Sequence, residues 1–143
     1  MVCVAQLVGP SGSGKTSSII AIARILKSMG FKVAVLKHTH HSIDVPGKDS
    51  WRFVEEGGVD YAIVFKGGGE RVAIFTRDKS LESIIEEVSR VVDVILVEGF
   101  KNLDLGYKIE LNGVTTEDVV SKTLSHILEC LKQEKPRNPI PHE

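Results

Sequence analysis

The octapeptide Gly9-Pro10-Ser11-Gly12-Ser13-Gly14-Lys15-Thr16 constrains this chain more than any other segment. It fits the pattern G-x-x-x-x-G-K-[ST] in full, between an apolar run, Val2–Val8, and a stretch of helical periodicity. A polyphosphate is gripped by consecutive backbone N–H groups, which demands close approach and unusual backbone angles. Glycines at 9, 12 and 14 permit both. A helix opening near Lys15 would aim its positive dipole end at the anion. Lys15 would reach the β- and γ-phosphates, and the Thr16 hydroxyl would face Mg²⁺. The binding loop thus comprises Gly9, Ser11, Gly12, Ser13, Gly14, Lys15, Thr16 and Ser17. An empty glycine-rich turn is the bland alternative, and the flanking strand and helix patterns argue against it.

The segments around the loop form a βαβ unit. Ile19, Ile22, Leu26 and Met29 share one helical face, with Ile20 and Ala23 beside them, and Gly30 ends the helix. Lys32–Lys37 is a second strand. Asp49–Gly58 reads as a short helix capped by Asp49 or Ser50 and stopped by Gly57. Two strands, 61–66 and 71–76, are joined by a turn too short for a crossover helix, which predicts an antiparallel hairpin. Leu81, Ile84, Ile85 and Val88 mark a helix, residues 93–97 and 107–111 two strands. Val120, Leu124, Ile127, Leu128 and Leu131 line a last helix, capped by Thr115 or Thr116. The expected architecture is α/β: a P-loop NTPase-like three-layer sandwich with a mostly parallel sheet and an antiparallel hairpin. One domain, 1–132, and a mobile proline-rich tail, 133–143, complete the expectation.

A triphosphate site needs a carboxylate near its metal. Glu98 ends an apolar strand just before Gly99, at the sheet edge where ligands of open α/β folds bind. Asp49 is the second candidate, with a helix cap as its bland reading; Asp44 reads as a solvated turn residue. Lys37-His38-Thr39-His40-His41 follows the second strand. At period two, His38 and His40 share a face and His41 lies opposite. Three readings stay open: a second anion site formed with Lys37, a transition-metal site, or a polar strand end. Lys48 adds positive charge that favours the anion.

A formal net charge of −1 speaks against nucleic-acid binding through broad charge. No apolar run approaches membrane-spanning length, so no membrane partner is expected. Cys3 and Cys130 have no CxxC partner and read as reduced core thiols; with no basic leader at the start, a cytoplasmic location is the default.

Four segments in order, GPSGSGKT, KHTHH, PGKDS and VEGFK (Val97–Lys101), resemble the molybdopterin-guanine dinucleotide biosynthesis protein B family, over about Val2–Leu111. The resemblance implies a homodimeric P-loop protein that binds GTP with Mg²⁺, hydrolyses it weakly and assists the MobA-like guanylyltransferase that joins GMP to molybdopterin. It implies nucleotide ligands at Gly12, Gly14, Lys15 and Thr16, and an adjoining site at His38, His40, Asp49 and Glu98. The preference for guanine comes from the resemblance alone, since no [NT]-K-x-D motif is present. On the residues themselves, Lys15, Glu98 and Asp49 are the catalytic candidates and Thr16, Glu98 and Asp49 the metal candidates. Arg52 and Arg77 are unanchored candidates for an arginine finger. A P-loop small-molecule kinase or ATP-dependent ligase is the alternative, disfavoured by the lack of an arginine-bearing lid. A third reading is a non-enzymatic adaptor whose nucleotide only orders loops for its partner.

Overall fold

The computed structural model describes residues 2–133 of the 143, so the expected tail lies outside the described residues except for Gln133. The elements run β1 (Cys3–Val8), α1 (Lys15–Ser28), β2 (Val33–Lys37), α2 (Asp49–Glu55), β3 (Ala62–Phe65), β4 (Val72–Phe75), α3 (Leu81–Ser89), β5 (Val94–Glu98), β6 (Tyr107–Glu110) and α4 (Thr116–Gln133). They fall into two compact units, one up to His38 and again from Glu86, the other Thr39–Ile85.

The first unit is built on a four-stranded sheet in the order β2-β5-β1-β6. All three pairings in it are parallel. Strands β1 and β5 are near-continuous apolar runs because a parallel sheet is covered on both faces. Ala5, Leu7, Val94 and Leu96 join Ile19, Ile22 and Leu26 of α1 and Val119 and Ile127 of α4 in one core. By the pleat, Val4, Gln6, Ile95 and Val97 point the other way; of these Gln6 and Val97 are wholly buried.

The helical faces differ from the periodicity reading. In α1, Ser18 joins the buried face, while Met29 is the C-cap and half exposed. In α4 the fully buried line runs Val119, Thr123 and Ile127, and the expected Val120, Leu124, Leu128 and Leu131 pack beside it, partly buried against the core. Small polar Ser18 and Thr123 carry no apolar signal, yet both are fully buried. Gly30, at φ 90°, follows the α1 C-cap as expected. Thr115 caps α4, its Oγ1 accepting from the Asp118 amide at 3.2 Å.

The second unit holds α2 and the antiparallel β3–β4 pair, a separate two-stranded sheet. The cap of α2 is Lys48, not Asp49 or Ser50: Asp49 is the first helical residue and no side chain caps the end. An acid at that position still complements the helix dipole.

Cys3 and Cys130 are joined in a disulfide across 127 residues, which corrects the reading of two reduced thiols. Sequence spacing could not reveal the pair, because it forms only when α4 packs back on β1. The bond also removes the thiol-based argument for a reducing compartment. Closing so long a loop stabilises the fold by about 5 kcal/mol in the chain-entropy limit. Thermal or denaturant unfolding with and without reductant should show a loss approaching that figure, and Cys130→Ala should make the protein insensitive to reductant.

Candidate functional site

The site is assembled by strand register. Leu7 of β1 pairs with Glu98 of β5, and Glu98 pairs with Lys37 of β2, so three adjacent strands end level. The ladder runs one step further on each side: the Gly99 amide donates to the Leu7 carbonyl at 3.0 Å, and the His38 amide to the Glu98 carbonyl at 3.0 Å. The loops after β1, β5 and β2 therefore leave the sheet at one height, at its carboxyl edge.

The glycine-rich loop follows β1. A Cβ at Gly9 would lie 2.8 Å from Ser13 Oγ and 3.1 Å from the Leu111 carbonyl oxygen, so only glycine fits there. Gly14 is the N-cap of α1 at φ 94°, a left-handed conformation that costs glycine little. No side chain caps α1, and its first turn carries no acid. The first backbone bond into the helix is donated by Ser18 to the Gly14 carbonyl. The amides of Gly14, Lys15, Thr16 and Ser17 meet no acceptor among the described residues. Ser13 Oγ is likewise buried without a partner there. Lys15 Nζ donates to the Gly9 carbonyl at 2.6 Å, which folds the ammonium over the loop.

Thr16 Oγ1 donates to Glu98 Oε1 at 3.2 Å. The Glu98 side chain is only 12% exposed, and Lys37 Nζ lies 4.0 Å from the same oxygen. At that distance, with Lys37 mostly exposed, the ion pair is worth little. A hydroxyl beside a half-sequestered carboxylate is the donor set a divalent cation shared with a polyphosphate would use, the remaining positions going to phosphate oxygens and water. Among the described residues no group of three or more His, Cys, Asp or Glu side chains is gathered for a metal. The open amides, the lysine and this hydroxyl–carboxylate pair fit a magnesium polyphosphate.

Lys37 and His38 stand at this edge. Strand β2 stops at Lys37, so the period-two argument for His38, His40 and His41 does not apply beyond it. His38 instead stacks on Phe100, with ring centroids 4.6 Å apart. His40 and Asp49 belong to the Thr39–Ile85 unit. Arg52 and Arg77 belong there too, paired with Glu56 and Glu55.

Gln6 escaped the sequence reading, hidden in an apolar run. It is wholly buried. Its Nε2 donates to the carbonyls of Gly99 and Phe100 at 2.9 and 2.8 Å, and its Oε1 accepts from the Leu105 amide at 3.0 Å. The loop after Glu98 is thereby pinned, including Phe100 at φ 56°, a conformation uncommon for a bulky residue. A lone amide within a buried strand was the available signal, since a polar group there needs partners.

A family model described as molybdopterin guanine dinucleotide synthesis protein B matches residues 4–131. The chain belongs to the MobB family. It is 39% identical over 101 residues to a molybdopterin-guanine dinucleotide biosynthesis adapter protein of Haemophilus influenzae, covering 66% of this chain and 55% of that one. With the Escherichia coli protein of the same name it shares 33% identity over 103 residues, covering 66% and 57%. The chain thus spans little more than half the length of these curated relatives. The crystal structure of Bacillus subtilis MobB superposes with a TM-score of 0.60 at 25% identity, over 83% of this chain and 72% of that one. A crystal structure of molybdopterin-guanine biosynthesis protein B at 20% identity gives 0.59 over 91% and 99%, a likeness of fold. The α/β architecture of this MobB chain, parallel sheet plus antiparallel pair, is that of its structural neighbours.

Replacing Gln6 with leucine leaves two carbonyls and one amide, all partly buried, without their partner. Each such group costs about 1–3 kcal/mol. Gln6→Leu should lower unfolding free energy by about 3 kcal/mol or more in a denaturant titration.

Proposed function

We propose that this chain binds GTP with Mg²⁺ at the glycine-rich loop and acts as an accessory protein in molybdopterin guanine dinucleotide synthesis. The observation that carries the nucleotide reading is the row of unpaired amides at Gly14–Ser17, overhung by Lys15 and adjoining the Thr16–Glu98 pair. The amides and the α1 dipole receive the β- and γ-phosphates. Lys15 exchanges its contact with the Gly9 carbonyl for the phosphate oxygens. Thr16 and Glu98 would hold Mg²⁺ beside the phosphates, where the ion would offset their charge. The relatives' names, which pair guanine dinucleotide synthesis with an adapter role, support guanine as the base and a partner protein in that synthesis; a MobA-like guanylyltransferase is the partner on this proposal.

Hydrolysis is slow on this reading. Water would be the nucleophile, and among this chain's residues Lys15 would offset charge on the transferring group, with Mg²⁺ supplying further positive charge. Arg52 and Arg77 each donate to a carboxylate of their own unit, Glu56 and Glu55, and neither is assigned as a finger on this reading. The role is that of a nucleotide-bearing adaptor. Removing the Lys15 ammonium deletes charged hydrogen bonds worth about 1.5–3 kcal/mol, or roughly 10–100-fold in affinity. Calorimetric titration of Lys15→Ala with GTP should show that loss, and Glu98→Gln should weaken the dependence of binding on Mg²⁺. Undiminished GTP binding by Lys15→Ala would sink the nucleotide reading.

The protein is a homodimer on the same proposal. In the β3–β4 hairpin Ile63 is 63% exposed, Phe65 64% and Ile74 58%, and among the described residues the two strands pair only with each other. A two-stranded sheet with an apolar surface is not stable in water without cover. A second copy supplies it. Sedimentation should give a dimer at micromolar concentration, and Phe65→Glu with Ile74→Glu should give a folded monomer.

A further inference from the structure

The Thr39–Ile85 unit contains a cavity that the nucleotide reading leaves unused. It measures about 190 Å³, and its lining includes Asp44, Trp51, Val54, Glu55, Phe75 and Arg77. That is room for one flat ring system rather than a nucleotide. A wider cavity of about 470 Å³ shares Val54, Thr76 and Arg77 with it and adds Lys79.

The polar groups of the narrow cavity are held in place with capacity to spare. Asp44 Oδ1 accepts from the Val45 amide at 2.8 Å and from Ser50 Oγ at 3.0 Å, while Oδ2 accepts from no described residue. Arg77 Nη1 donates to Glu55 Oε2 at 2.8 Å, leaving its other N–H groups for a further acceptor. Trp51 and Phe75, both half-buried, supply apolar walls. A fixed carboxylate, a fixed guanidinium and two aromatic side chains define the complement: a flat heterocycle with two donors and a carbonyl along one edge. The 2-amino-4-oxopyrimidine edge has that pattern. Its amino and ring N–H groups match the carboxylate, and its carbonyl matches the guanidinium. Pterins and guanine share it.

We propose that this cavity binds the pterin ring of a phosphorylated pterin. The proposal rests on the functional reading above, which already assigns the guanine nucleotide to the glycine-rich loop and leaves molybdopterin without a site. The wider cavity then takes the pterin's side chain, with Arg77 and Lys79 toward its phosphate; Asp60 and Asp78 line the same space and confine the phosphate to the cationic side.

Trp51 is the only tryptophan in the chain, so its fluorescence reports this cavity directly. Titrating the full chain with 6-hydroxymethylpterin, guanosine and adenosine separates the candidates. The pterin should quench Trp51 saturably, with guanosine weaker and adenosine inert. Asp44→Asn keeps the acceptor for Val45 and Ser50 but loses the charge; it should weaken the pterin at least tenfold with an unchanged melting temperature. Should that variant fail to fold, Arg77→Gln gives the same reading through the anisotropy of the pterin's own fluorescence. Lys15→Ala should leave the pterin response intact while abolishing GTP binding, so the two sites fail separately. Quenching by guanosine without the pterin would assign the cavity to guanine and overturn the proposal. An equal response to adenosine, or none to the pterin, would overturn it as well.

Discussion

The level ending of β1, β5 and β2 is the constraint on which the rest of the first unit depends. Parallel pairing sets Leu7, Glu98 and Lys37 in one row. A one-residue slip of β5 would swing Glu98 to the other face of the sheet and remove the partner of Thr16. Register is strongly specified here because both faces of β5 are buried: Val94, Leu96 and Val97 have no exposure at all. The apolar core thus fixes the position of a polar contact, Thr16 to Glu98, that could not fix itself at 3.2 Å near the surface.

Much of this was legible because local sequence carries it. The glycine-rich loop, the βαβ unit, the hairpin and the position of Glu98 each follow from a few consecutive residues and their period. Features that depend on distant residues were not legible. The disulfide joins residues 127 apart, and nothing in the spacing of two cysteines names them as partners. Gln6 reads as a blemish in a strand until the loop from Gly99 to Leu105 comes to it. The core-facing residues read for α4 do pack on the core, but its most buried line also takes in Val119 and Thr123, and Thr123 is a small polar side chain that packs well without being apolar. The end of β2 at Lys37 was read correctly, but period-two geometry was carried on into KHTHH, which contains no residue that breaks a strand; the ladder ends because β5 turns away at Gly99.

Gln6 and the disulfide act on opposite sides of β1, and together they tie the strand that feeds the glycine-rich loop. Cys3 links its first residue to α4, and Gln6 links its middle to the loop after β5. Neither touches the loop itself. Both restrict how far β1 can shift along its neighbours, which keeps Gly9 against Leu111.

The charges at the carboxyl edge explain why nucleotide and metal belong together on the proposed reading. Lys15 and the α1 dipole favour an anion, but Glu98 stands beside Thr16 with its own negative charge. Against a bare triphosphate that carboxylate repels, and Lys37, at 4.0 Å and mostly in water, offsets it poorly. A divalent cation held by Thr16 and Glu98 would supply positive charge there and turn that repulsion into attraction. Burial of Glu98 to 12% exposure strengthens the field the cation meets, because screening by water is reduced there. On the proposed reading the same carboxylate would disfavour free nucleotide and favour the magnesium complex, selecting the form of the ligand without any contact to its base.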